Sequence, residues 1–84
     1  MAYTLLFKNT AVKSIERLSD KDKKKVASAL ESLKTNPFSG KKLTGEYKNY
    51  HSLRVWPYRI IYTVIKKELV VLIVDVAHRQ GAYT

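Results

Sequence analysis

Apolar and polar residues alternate along Tyr3-Thr4-Leu5-Leu6-Phe7-Lys8, with Tyr3, Leu5 and Phe7 on one side. That period of two predicts a half-buried strand. Thr10 then offers an N-cap, and Ala11, Val12, Ile15 and Leu18 follow at helical spacing, predicting a short helix. Ser19, with Asp22 three residues on, resembles the capping arrangement of a second helix. Its apolar stripe is Val26, Leu30 and Leu33, with Ala27 and Ala29 alongside. It should stop at Asn36, because Pro37 disfavours helical geometry in the residue before it. Residues 37–46 hold Gly40 and Gly45 and read as loop. Three strands complete the pattern, over Tyr47–Val55, Tyr58–Ile65 and Leu69–Ala77. Trp56-Pro57 and Lys66-Lys67-Glu68 separate them, and connections so short demand antiparallel hairpins. The last strand is apolar on both faces, so it should be central and covered on both sides. The order β-α-α-β-β-β predicts an α+β domain, a two-helix hairpin on a mainly antiparallel four-stranded sheet.

The chain has 84 residues, which predicts a single domain over 1–84 with a small core. At that size a partner or a homodimer of the free protein is a reasonable source of additional burial. Lys plus Arg number 16 against 7 Asp plus Glu, a net charge of +9. That excess favours a polyanionic partner such as nucleic acid, a ribosome or an acidic protein. Lys21, Lys23, Lys24 and Lys25 oppose the dipole at the start of the second helix, either as a solvated face or as phosphate attractors. Cysteine is absent, which excludes a disulfide scaffold, a thiol nucleophile and a Cys-ligated metal. The longest apolar run, Leu69 to Val74, falls far short of the ~20 residues that span a bilayer. Met1-Ala2-Tyr3 opens straight into a strand pattern without a leader-like segment, so a cytoplasmic protein with no membrane contact is expected.

Gly-rich phosphate loops and dinucleotide fingerprints are missing. His51 and His78 do not stand at metal spacing with carboxylates, and from Tyr47 onward the acids are Glu68 and Asp75 alone. A two-metal nuclease or a paired-carboxylate glycosidase is therefore unsupported, and neither a metal nor another cofactor is expected. The basic residues are more informative. If Trp56-Pro57 forms the turn, Arg54 lies directly opposite Arg59 on one face. Like charges so placed repel. Either an anion sits between them, for which a guanidinium fork is suited, or they splay into solvent or pair with Asp75 or Glu46. If Lys67-Glu68 is the next turn, Arg59 lies opposite Val76, and His78 projects to the same side. Arg54, Arg59, His78, Arg79 and Tyr83 would then converge at one end of the sheet.

Such a cluster suits RNA cleavage, since RNA carries its own nucleophile, the 2′-hydroxyl. The protein must align it, neutralise charge at phosphorus and move two protons. Tyr58 and Tyr62 share a strand face with Ile60 and Val64 and are read as core. Trp56, at a hairpin tip, is better placed to stack on RNA or a protein.

Leu53-Arg54-Val55, Tyr58-Arg59-Ile60-Ile61-Tyr62, Val76-Ala77-His78-Arg79 and Tyr83, in this order, resemble the RelE/ParE toxin superfamily. Ala2-Tyr3-Thr4-Leu5, the helical hairpin and Lys42-Leu43-Thr44-Gly45 fit as well, so the resemblance spans nearly the whole chain and points to the RelE branch. It implies a type II toxin that enters the ribosomal A site and cleaves mRNA without metal, leaving a 2′,3′-cyclic phosphate. It also implies a cognate acidic RelB-like antitoxin that wraps and neutralises the toxin. On this resemblance Arg59 stabilises the transition state and Arg79 is the second arginine. Arg54 matches a basic position, Tyr83 a base or orienting residue, and His78 an alternative proton carrier. Ser52 stands where relatives carry another basic residue, and the adjacent His51 should face the other side. Trp56, Ser52, His51, Lys41 and Lys42 are the expected RNA-binding residues. Two other readings share the fold: a ParE-like inhibitor of DNA gyrase, and an inactive module that only binds its antitoxin.

Overall fold

The computed structural model describes residues 2–78, apart from the side chain of Tyr47. Arg79 and Tyr83 lie outside the described residues. Strand β1 (Thr4–Phe7) leads into helix α1 (Asn9–Glu16) and helix α2 (Asp20–Thr35). A two-residue strand β2 (Lys41–Lys42) follows, then β3 (His51–Val55), β4 (Tyr58–Ile65) and β5 (Val70–His78). The sheet order is β1-β5-β4-β3-β2. β1 runs parallel to β5, and the other pairs are antiparallel.

The α+β architecture is the predicted one, with five strands in place of four. The added strand is β2, inside the segment read as loop. Two residues carry too little pattern to announce a strand, and Lys41 and Lys42 form one only because β3 offers its outer edge. The strand expected from Tyr47 starts at His51, after a short 3₁₀ turn over Gly45–Tyr47. A second such turn, Lys66–Glu68, joins β4 to β5, with Leu69 in the left-handed region at φ 55°.

Local chemistry explains the helices. Ser19 caps α2, its hydroxyl accepting the Asp22 N–H at 3.2 Å. Asp20 and Asp22 in the first turn offset the lysines beside them. α2 ends before Asn36, as Pro37 requires. α1 departs from expectation. Its N-cap is Lys8, and the Thr10 hydroxyl donates instead to the Val74 carbonyl. The helix starts early because Lys8 is extended and its N–H still reaches the Ile73 carbonyl, at 2.9 Å.

Val26, Leu30 and Leu33 of α2 and Ala11 of α1 pack on one sheet face, against Ile60, Tyr62, Val71, Ile73 and Val76. Ala29 is partly buried beside them and Ala27 is exposed. Tyr58 packs at the margin of this core and Tyr62 is fully enclosed, as their strand face predicts. β5 is an interior strand. On the other sheet face Ile61, Thr63 and Leu72 are half-buried, and Leu6 is 49% exposed.

One register expectation is corrected. Tyr62 pairs with Ile73 but Ile61 pairs with Asp75, so Val74 is an extra residue in β5. Beyond this bulge Arg59 opposes Ala77, not Val76, and His78 opposes Tyr58. The reason is the core. Uninterrupted alternation after Val71 and Ile73 would bury Asp75, and the bulge buries Val76 instead.

Candidate functional site

Turn geometry builds the site. Trp56-Pro57, joined by a cis peptide bond, closes the β3–β4 hairpin with Val55 opposite Tyr58 and Arg54 opposite Arg59, as the sequence predicts. Lys41 pairs with Ser52 on the far side of β3. Residues two apart on a strand share a face, so Lys41, Ser52, Arg54 and Arg59 belong to one side of the sheet. There they line a shallow concavity of about 340 Å³ together with Ser39, Gly40 and Leu53. Among the described residues, three cations and no carboxylate line it.

Ser52 is 4% exposed, and among the described residues its hydroxyl has no hydrogen-bond partner. Gly40 permits the close approach that shapes the wall. Its N–H donates to the Tyr62 hydroxyl at 3.0 Å, and a Cβ in its place would run into the Ser52 backbone. Nothing in the sequence singles out Ser39 or Gly40 for the site. A glycine serving close packing leaves no periodic signal.

The remaining candidates sit elsewhere. His51 faces the other side, as expected, stacked on Tyr62 with ring centroids 5.3 Å apart and edge-on to Phe38 at 5.8 Å. Lys42 opposes His51, so it too leaves the arginine face. Trp56 is 56% exposed and joins Lys21, Lys24, Lys25, Ser28 and Val55 around a second groove, beside α2. The Lys25 ammonium donates to the Trp56 carbonyl at 3.3 Å. His78, expected beside Arg59, lies instead on the helix side, edge-on to Tyr58 at 5.7 Å. Among the described residues no group of three or more His, Cys, Asp or Glu is placed to hold a metal ion.

Titration follows these contacts. Tyr58 donates to Asp22 at 2.8 Å, and this bond, with burial and the carboxylate charge, raises its pKa above the ordinary 10.0. Burial raises Tyr62 as well, against hydrogen bonds with Gly40 and Ser39 that lower it. Both phenols therefore stay protonated near neutrality. His51 falls below its ordinary 6.5, through burial first and the Lys42 charge second. The unfolded chain thus binds this proton more readily than the fold. Stability from this group is complete above about pH 6.5 and drains away as pH falls through the depressed value. We expect His51→Phe, which keeps the stack on Tyr62, to flatten the dependence of Tm on pH between about 7.5 and 5.5. Thermal melts of the two proteins across that range check it, and equal acid sensitivity would contradict the depressed pKa.

The molecule is thus a small basic α+β protein whose sheet brings Lys41, Arg54 and Arg59 around an open concavity. A family model described as the ParE toxin of the type II toxin-antitoxin system parDE matches residues 5–83. The chain belongs to that toxin family, within the RelE/ParE superfamily. A Methanocaldococcus jannaschii protein bearing the name toxin RelE1 is 28% identical over 88 residues, covering 99% of this chain and 97% of its own length. Among solved structures, the toxin–antitoxin complex RelBE2 of Mycobacterium tuberculosis contains a chain with TM-score 0.81 and 28% identity, covering 94% of this chain and 100% of that one. The archaeal RelE–RelB complex of Pyrococcus horikoshii OT3 contains another, with TM-score 0.80 and 25% identity, covering 98% and 100%. No helix among the described residues is long and apolar enough to cross a membrane.

Proposed function

We propose that this toxin is an endoribonuclease that cuts mRNA in the ribosomal A site without a metal. The observation that carries the reading is the concavity lined by Lys41, Arg54 and Arg59, with no acid among the described residues that line it. Two opposed arginines repel one another, and a phosphodiester seated between them would offset that repulsion. In the reaction the 2′-oxygen bonds to phosphorus as its proton leaves, the bond from phosphorus to the 5′-oxygen breaks, and that oxygen takes up a proton. Arg59 and Arg54 neutralise the charge that builds on the phosphoryl oxygens. Arg79 and Tyr83, outside the described residues, keep their roles as second arginine and proton-transfer or orienting group. His78 keeps no place beside Arg59, and its part is limited to the rim near Tyr58.

The Trp56 groove with Lys21, Lys24 and Lys25 supplies a separate sequence-independent hold on ribosomal RNA, through stacking and phosphate contacts. The net charge of +9 and the RelB–RelE complexes formed by its relatives support an acidic RelB-like antitoxin as partner. Toeprinting on programmed ribosomes, beside a gyrase supercoiling assay, tests the reading. Cleavage confined to the A-site codon is the expected result. Gyrase poisoning with intact mRNA selects the ParE-like alternative, and neither effect leaves the inert binding module.

A further inference from the structure

The bulge in β5 is held from outside the sheet. Val74, the extra residue, has its carbonyl bonded by the Thr10 hydroxyl. One turn along α1, the Ser14 hydroxyl donates to Asp75 Oδ1 at 2.7 Å. The same oxygen accepts the Val76 N–H at 2.8 Å. Positions i and i+4 share a helix face, so one side of α1 presents both hydroxyls to the irregular stretch. Asp75 acts twice. It anchors the bulged register, and it forbids the regular one, in which an unpaired carboxylate would face the core opposite Ile60.

A slip of one residue reverses every side chain beyond it. In the regular register Arg59 would oppose Val76, and His78 would stand on the arginine face. In the bulged register Ala77 lies beside Arg59 and His78 stands with Tyr58 on the helix face.

We infer that the Thr10–Ser14–Asp75 clamp on the β5 bulge selects which residues from the end of β5 join the arginine face, making Asp75 a positioning residue of the site. The inference rests on the reading of that face as the RNA-cleaving surface. It places a determinant of the site on α1 and on a side chain that does not line the concavity.

Two variants test it. Asp75→Val removes both the anchor and the cost of the regular register. Cross-strand NOEs should move from Arg59–Ala77 to Arg59–Val76, and A-site cleavage should fall about 10²-fold, as misplacement of catalytic groups does. Deletion of Val74 removes the bulge but leaves the pairs on either side in step. It should keep the Arg59–Ala77 NOEs and cleavage within about 3-fold, even with a lowered Tm. A purely structural role would instead make activity follow stability in both variants. Unmoved NOEs in folded Asp75→Val overturn the inference, and so do moved NOEs with undiminished cleavage. If Asp75→Val does not fold, the deletion decides: kept pairing with kept cleavage supports the inference, and kept pairing with lost cleavage overturns it. A wild type that cuts no mRNA refutes the proposed reaction alone, and the NOEs of Asp75→Val still decide whether the clamp sets the register.

Discussion

Arg59→Ala should lower A-site cleavage by at least about 10²–10³-fold while shifting Tm by only a few degrees. The large kinetic effect follows from where the charge stands. Arg59 lines the concavity across from Arg54, with Ser52 on the same neighbouring strand and Lys41 one strand further out. A guanidinium already in place when charge grows on the phosphoryl oxygens needs no reorganisation, and one preorganised donor is worth about 2.7–4 kcal/mol of transition-state stabilisation. The small effect on folding follows from burial. Arg59 is only half-buried, whereas its neighbour Ile60 is fully enclosed. An ordinary substitution at such a position changes stability by about 1 kcal/mol or less. Single-turnover cleavage on programmed ribosomes, with a thermal melt of each protein, measures both quantities. A folded Arg59→Ala that cuts at the wild-type rate would remove Arg59 from the reaction.

Gly40→Ala should act first on the fold, with a structural loss of about 2–3 kcal/mol. A Cβ at this position would lie 2.5 Å from the Tyr62 hydroxyl and 2.9 Å from the Ser52 carbonyl oxygen. Neither can retreat easily, since Tyr62 is fully buried and Ser52 is held in the middle of β3 between β2 and β4. The clash also endangers the Gly40 N–H bond to Tyr62. For a domain of this size the loss corresponds to a Tm lowered by roughly 10–20 °C. Tyr62→Phe in the same chain should recover part of it, because the nearer of the two obstructions disappears, but the Ser52 carbonyl remains. Circular-dichroism melts of the single and double variants form the cycle. An unchanged Tm in Gly40→Ala would show that the β2 edge yields freely. Because β2 carries Lys41 into the concavity, the same variant should also loosen the site.

About half of the candidate site is legible in the amino-acid sequence. The arginine pair follows from one short turn, because a two-residue connection leaves little freedom in how Arg54 and Arg59 face each other. Alternation alone turns His51 away from them, and the stack on Tyr62 agrees. His78 is different. Counting its register from the Lys67-Glu68 turn assumes a regular strand, and the bulge at Val74 breaks that count. Lys41 is a candidate by charge, yet nothing local shows that it pairs with Ser52 and completes the ring of cations. The second helix is readable almost to the residue, since its cap and its proline stop are local. The first is not, because the Thr10 hydroxyl serves β5 instead of capping its own helix.

Local rules were enough for the succession of elements, the helix boundaries set by Ser19 and Pro37, the positive charge and the opposition of two arginines. These depend on periodicity, capping and turn length, which act over a few residues and are written in the order of the amino acids. The parallel seat of β1 beside β5, the edge strand carrying Lys41, and the face on which His78 stands emerge only in the folded molecule. Each of those is a choice between partners distant in the chain, settled by core burial and by hydrogen bonds across more than sixty residues, such as Thr10 to Val74 and Ser14 to Asp75.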